Sequence, residues 1–553
     1  MKNYGVIIVA LFLLAACSKT EKVIPKASIA TLNCTALTVS LAPSVGVAYT
    51  ASVSVPYSGG NGIAYSAGTS IASRGVAGFT ATLQSGTLAN GAGTFTYTIS
   101  GTASSAGTAI FDISFGSISC SFNLPVNDVP LVQYGTPFAG VPDGSDAVIY
   151  QVNMRAFSAT RNFIGVQNRL DSIKALGVNV LYLMPTYPVG VVNAINSPYC
   201  IKDYKGVNAE FGNLTDLRNL IDAAHSKGIA VLLDWVANHT SWDNPWITAH
   251  KEWYAQDAAG NILHPSLGWL DVAQLNFANI SMRREMIQCM KYWVYTVNCD
   301  GFRCDYADGP PNDFWAQAID TLRSIPGHKL LMLAESNATT KYAAGFNLIF
   351  GFNFYAALKS IYNSSSSVQT LDNSNTADYN NVSTNQQHVV RYLTNHDVNN
   401  SDGTALQMFG GASGTMPAFV VAATMKGVPM LYNGQEVGTT FSLPIFTLGN
   451  VINWNQNQAM VEEYKRIIAF RNGSAAVKRG TLTSWSSADI CAFSKTSGTE
   501  NIVVIANLRN SAINYTLPAA IANTNWTNAI SGVTVALTNQ VSLQPYAYLI
   551  LKN

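Results

Sequence analysis

The chain has 553 residues, 48% of them hydrophobic and only 11% charged, with a formal net charge of +1. A single core stops growing near ~250–300 residues, so several domains are expected. A charge balance this close to zero offers no field for nucleic acid and fits neutral polar substrates better than polyanions.

The first residues read as a targeting segment rather than as fold. Lys2 supplies a positive start, and the apolar run 6–16 is too short for a typical membrane span. It ends in Leu14-Ala15-Ala16-Cys17, which resembles a bacterial lipobox. Cleavage before Cys17 and acylation of its thiol and amine would anchor the chain in the cell envelope, on a periplasmic or surface face. Several acyl chains hold firmly where one binds marginally. The alternative is an ordinary cleaved signal with a chance cysteine. Residues 18–27 read as a polar tether.

Residues 28–127 change character. Arg74 and Asp112 are their only charges, and short alternating runs such as Ala51-Ser52-Val53-Ser54-Val55 are separated by glycine-rich turns. That pattern predicts a small Ig-like β-sandwich. It holds no tryptophan, the broadest face for stacking a sugar ring, which favours a spacer over a glycan-binding module. Cys34 and Cys120 bracket this domain; in an oxidising compartment they are a candidate pair, with free thiols the equal alternative. No CxxC pair or Cys/His cluster points to zinc. Residues 128–146, with Pro130, Pro137 and Pro142, read as a linker.

From Ala147 the pattern alternates. Strands are expected at 148–152, 178–184, 229–234, 301–305, 330–335, 346–350, 389–394 and 428–432, and helices at 163–176, 217–227, 282–297 and 459–472. Eight strands alternating with helices imply a closed parallel (β/α)₈ barrel over 147–473. An insertion after the third strand, about 240–278, carries Trp242, Trp246, Trp253 and Trp269. Cys289, Cys299 and Cys304 fall on a barrel helix, at its end and on a strand, where small buried hydrophobes belong. Alternating runs return over 474–553 and predict a C-terminal all-β sandwich.

Four apolar runs end on charged or catalytic residue types: Asp234-Trp235-Val236-Ala237-Asn238-His239, Arg303-Cys304-Asp305, Ala334-Glu335, and Asn395-His396-Asp397. A buried strand has no packing reason to finish on a carboxylate, and strand C-termini are where barrel active sites sit. Asp305 and Glu335 belong to consecutive strands ~4.8 Å apart, which suits the ~5–5.5 Å carboxyl gap of a retaining glycosidase. Arg303 shares a strand face with Asp305 and is expected to keep it ionised, lowering its pKa by ~1–3 units.

Together these segments resemble glycoside hydrolase family 13, the α-amylase family. The resemblance implies that Asp305 is the nucleophile, Glu335 the general acid/base and Asp397 the third carboxylate, gripping sugar hydroxyls. It implies that His239 and His396 hydrogen-bond the same sugar, with Asp234 supporting Arg303 from the barrel floor. Tyr199, in Ser197-Pro198-Tyr199-Cys200, resembles the aromatic platform beneath that sugar. The implied partner is a starch-like α-glucan, cleaved at α-1,4 bonds through a covalent glycosyl-enzyme. Cyclomaltodextrinase, neopullulanase-like or transglycosylase activity is the alternative, and an inactive glycan-binding lipoprotein is the reading from another class. One departure stands out: many α-amylases carry Lys-His where this chain has Asp308-Gly309, on the leaving-group side. Asn238 matches a common calcium ligand, so calcium is the one cofactor implied. Oligomeric state is not legible.

Overall fold

The computed structural model describes residues 25–35, 37, 42–128, 130–380, 382 and 388–553. Cys17 and its apolar run lie outside them. No helix among the described residues is long and apolar enough to cross a membrane. The chain divides into two compact units, one ending at Pro130 and the other spanning Leu131–Asn553.

Among the described residues, the first unit has two larger antiparallel sheets and one two-stranded sheet. A five-stranded sheet is built around the long pair Ala48–Asn61 and Asn90–Thr102, and a three-stranded sheet around Gly107–Phe115 and Ile118–Val126. Strand alternation turns Val53, Val55, Phe95, Tyr97, Phe111 and Phe122 into one core. The two charges of residues 28–127 find each other, with Arg74 Nε 2.7 Å from Asp112 Oδ2. Cys34 and Cys120 are disulfide-bonded, with Cα atoms 5.9 Å apart across 86 residues of chain. A crosslink closing so long a loop mainly restricts the unfolded ensemble. Replacing both cysteines by alanine is expected to cost this unit about 2–5 kcal/mol. In a melt of the full chain, its unfolding should move down while that of the second unit stays in place.

The second unit centres on a closed barrel of eight parallel strands in chain order: β1 (Ile149–Val152), β2 (Val180–Leu183), β3 (Ala230–Trp235), β4 (Gly301–Cys304), β5 (Leu331–Ala334), β6 (Leu348–Phe350), β7 (His388–Tyr392) and β8 (Val428–Tyr432). These strands read as near-continuous apolar runs because the barrel interior and the surrounding helices bury both faces. Gly301 opens β4 at φ +140°, and a Cβ there would sit 2.0 Å from the Leu331 carbonyl oxygen. Only glycine fits so close to β5, and that approach sets the register carrying Arg303 opposite Asp234 on one side and Leu333 on the other. After β3, the insertion folds back on itself as His239–Ser241 paired antiparallel with Val272–Gln274.

Two expectations change. Residues 131–146 are not a free linker but are packed onto the barrel. The Tyr134 hydroxyl donates to Asp222 at 2.7 Å, and Phe138 stacks on His225 with centroids 4.3 Å apart. Aromatics set among the prolines anchor what composition alone marks as loose. The expected helix at 163–176 is two short helices, Phe163–Gln167 and Leu170–Ala175. Arg169 falls at the break and lays its guanidinium over Trp454, 4.1 Å from the ring centroid. Cys200, Cys289, Cys299, Cys304 and Cys491 are buried free thiols.

Beyond the helix Gln458–Gly473, a six-stranded sheet and a two-stranded sheet complete the unit. The period of two is visible across the larger sheet. Cys491, Phe493, Ile502 and Val504 face the barrel core, while Ile490, Ala492, Val503 and Ile505 face a core of their own.

Candidate active site

A cleft of about 490 Å³ opens at the C-terminal ends of the barrel strands. Asp305, Glu335, Asp397, Tyr199, His239 and His396 all line it. Asp234 and Arg303 lie beneath, 1% and 0% exposed.

Arg303 organises the floor. Its Nη1 donates to Asp234 Oδ1 at 2.8 Å and to Asp305 Oδ1 at 2.9 Å, and its Nη2 pairs with Glu335 Oε1. One planar fork thus reaches both candidate catalytic carboxyls, so these face one another across the strand ends. Burial opposes the guanidinium's charge, but the carboxylates of Asp234 and Glu335 more than offset it and keep Arg303 cationic.

The effect on Asp305 differs from the expectation. Burial pushes its carboxyl well above the usual range, the charge of Glu335 pushes it further, and Arg303 pulls back without winning. The sequence places the arginine but not the desolvation, and at this depth desolvation dominates.

The sugar-facing groups form a directed chain. Gln151 Nε2 lies 2.8 Å from His396 Nδ1, His396 Nε2 lies 2.7 Å from the Tyr199 hydroxyl, and that hydroxyl donates to Asp234 Oδ2 at 3.0 Å. An ionised carboxylate only accepts, so the single tyrosine proton points at Asp234. Its oxygen therefore accepts from His396, which fixes the tautomer with hydrogen on Nε2 and Nδ1 accepting from Gln151. Burial lowers His396 to about 4, so the ring is neutral at ordinary pH. Tyr182 adds a second hydroxyl to Asp234 Oδ2 at 2.6 Å. His239, also lowered to about 4 by burial, sets its ring edge-on to Trp269 at 5.6 Å.

Asp397 behaves differently. Its side chain is 58% exposed and opens the first turn of the helix His396–Ser401, whose cap Asn395 accepts from the Asp397 and Val398 amides. The carboxylate is presented to solvent in the cleft on a rigid turn.

Several contributors were invisible in the sequence. Tyr306, directly after Asp305, sits in left-handed backbone at φ +36°. Such a conformation costs about 1–3 kcal/mol and persists only where the surroundings hold it. Here its amide donates to Glu335 Oε2 at 2.7 Å, and its ring meets Trp269 edge-on at 5.2 Å. Positive φ at a tyrosine has no compositional signal. Asp308, which the sequence pattern set on the leaving-group side, lines the cleft, accepting from Ser336 Oγ at 2.8 Å and pairing with the buried Lys341 Nζ at 3.3 Å, partners that the sequence did not reveal. Lys341 spends its other donors on the Ala307 carbonyl at 2.8 Å and Asn312 Oδ1 at 2.9 Å. The helix Thr340–Ala343, after β5, thus sets a lysine against Asp308.

No calcium cage is assembled at Asn238 among the described residues. Its backbone carbonyl and Oδ1 accept from Gln274 Nε2 at 3.0 and 3.2 Å, and a Cβ on Gly309 would lie 2.2 Å from that Oδ1. A hard cation needs about six to eight oxygens. No group of three or more His, Cys, Asp or Glu able to hold a metal exists among the described residues.

A sequence model of the α-amylase catalytic domain matches residues 155–261 and 249–515. The chain belongs to the α-amylase family. It is 27% identical over 316 residues to the α-amylase MalA of Haloarcula japonica, covering 55% of this chain and 46% of that protein. It is 23% identical over 425 residues to the cyclomaltodextrin glucanotransferase of Paenibacillus macerans, covering 67% and 57%. The chain therefore spans about half the length of these relatives. A crystal structure of a noncanonic maltogenic α-amylase, AmyB of Thermotoga neapolitana, superposes with a TM-score of 0.67 at 24% identity, covering 74% of this chain and 99% of that one.

Proposed function

We propose that this family member is a retaining α-glucan hydrolase acting on α-1,4 bonds of starch or maltodextrins. The observation that carries the reading is the Arg303-bridged pair of Asp305 and Glu335 at the ends of adjacent strands. Asp305 attacks C1 while Glu335 protonates the departing oxygen, leaving a covalent β-glucosyl-enzyme. Glu335 then takes a proton from water, whose oxygen displaces Asp305. Tyr199 offers its π-face to the developing positive charge. Neutral His239 and His396 and the exposed carboxylate of Asp397 bind hydroxyls. Incubation with maltoheptaose should release shorter sugars whose first-formed anomer is α, followed by proton NMR. A β anomer would refute the retaining assignment, and no cleavage of starch, pullulan or cyclodextrin would refute the hydrolase.

Transfer is the second reading, favoured by the leaving side. A carboxylate clamped by Ser336 and Lys341 is well placed to hold an acceptor sugar through charged hydrogen bonds. Asp308→Ala is therefore expected to raise KM for maltoheptaose about tenfold. A glycosyl fluoride, which has no leaving sugar, should react at an unchanged rate. Oligosaccharides longer than the substrate, seen by chromatography and lost in the variant, would mark transfer.

The lipobox reading supports lipid anchoring in the cell envelope through Cys17. Labelled palmitate should enter the wild-type chain and not Cys17→Ser; equal labelling of both would refute it.

A further inference from the structure

At the N-terminal ends of β7 and β8, opposite the catalytic cleft, lies a groove of about 780 Å³. The helix Thr370–Asp378, the start of β7, Lys426 before β8, and the strands Thr481–Ser484 and Ile490–Ser497 enclose it. Lys426, Lys478, Arg479 and Lys495 line it, and Asp372 is its one carboxylate among the described lining residues. Asp372 lies near Ser484 and Ser486 across the wall, its carboxyl raised by burial and its Oδ1 without a hydrogen-bond partner among the described residues.

The positive charge here is only partly balanced. Asp146 pairs with both Lys478, at 3.0 Å, and Arg479. Lys495 is 3% exposed and, among the described residues, gives its ammonium to the Val477 carbonyl alone, near the end of the helix Ala475–Arg479. Closing a helix C-terminus explains one of its three donors. Lys426 stands half-buried with Nζ 3.9 Å from the Tyr379 ring centroid. Behind them Arg471, 1% exposed, donates Nη2 to the Ser145 and Ala147 carbonyls, while its Nε and Nη1 have no partner among the described residues. Buried cations without counter-charge are costly, and an anion bound between them would relieve that cost.

We propose that this groove is an anion site for a phosphoryl group, with Lys426 and Lys495 as its principal cations and Arg479 at its edge. Several charges converging from separate segments suit a multiply charged oxyanion better than a halide. The volume admits a phosphate carried on a sugar as readily as the free ion. Burial, with repulsion from Arg471 and Lys426, pulls Lys495 down to about 7, and a bound anion would restore its charge.

The test is calorimetric titration of the full chain with inorganic phosphate and, separately, glucose 6-phosphate, in chloride buffer of matched ionic strength. Saturable binding is expected, with a raised Tm. Lys495→Met and Lys426→Met should each weaken it about tenfold or more while starch hydrolysis is unchanged. Should Lys495→Met fail to fold, Lys426→Met at the groove wall carries the test. Tighter binding of glucose 6-phosphate would identify a phosphorylated sugar as the source, and preference for phosphate the free ion. Absence of saturable heat with both ligands would overturn the site. So would an equal Tm rise in sodium chloride, or undiminished affinity in the variants that fold.

Discussion

Asp305→Asn is expected to lower turnover of maltoheptaose by about 10³–10⁶-fold with the fold intact, because an amide cannot form the glycosyl ester that the carboxylate forms. The amide keeps the shape of the side chain and an acceptor toward Arg303. Glu335→Gln is expected to cost about 10²–10⁴-fold on the same substrate. The two losses differ in kind. A departing sugar needs a proton, so Glu335→Gln blocks the first step with maltoheptaose. A departing fluoride needs none, so the first step should survive Glu335→Gln on a glycosyl fluoride, and not Asp305→Asn. If both variants lost the fluoride burst equally, the division of roles would be wrong.

That substrate also exposes the electrostatics. Asp305 must be ionised to attack, and burial together with the charge of Glu335 holds its carboxyl above the ordinary range. Activity should therefore fall on the acid side at a pH above the usual carboxylate value of ~3.9. In Glu335→Gln the burial contribution remains and the repulsion goes. The acid limb of kcat/KM for the fluoride should move to lower pH. A limb that stayed in place would mean that Asp305 does not feel Glu335.

The strand ends were legible because each breaks a rule of local structure: an apolar run that terminates on Asp234, Asp305, Glu335 or Asp397 has no packing rationale. Periodicity likewise gave the barrel and both all-β regions. What stayed hidden depends on closure of the barrel. Gln151 meets His396 across 245 residues of sequence, since β1 and the end of β7 come together only when the cylinder forms. Lys341 reaches Asp308 from the helix after β5, a relation that no motif encodes. The Asp305 carboxyl was misjudged for a related reason. Its neighbour Arg303 is visible in the sequence two positions away, whereas its burial is a property of the assembled barrel.

Arg303→Leu is expected to be the most disruptive single substitution in the second unit. It leaves the buried Asp234 carboxylate and both cleft carboxyls without their shared cation, which should cost about 3–5 kcal/mol. The loss should depend on pH, with a definite sign. Burial already raises the folded-state carboxyls of Asp234 and Asp305 above their unfolded values, and removing the guanidinium raises them further. Acids held above their unfolded pKa contribute stability at low pH and lose it as pH rises through the folded value. The variant should lie nearest to wild type in acid and fall behind toward neutrality, measured by urea unfolding across that range. Arg303→Lys should recover part of the stability but little of the activity, since a single ammonium cannot fork to Asp305 and Glu335 at once. A deficit independent of pH would mean that the arginine acts by packing against Tyr182, Tyr199 and Phe350, whose ring centroids lie 5.6–5.8 Å from it, rather than by charge.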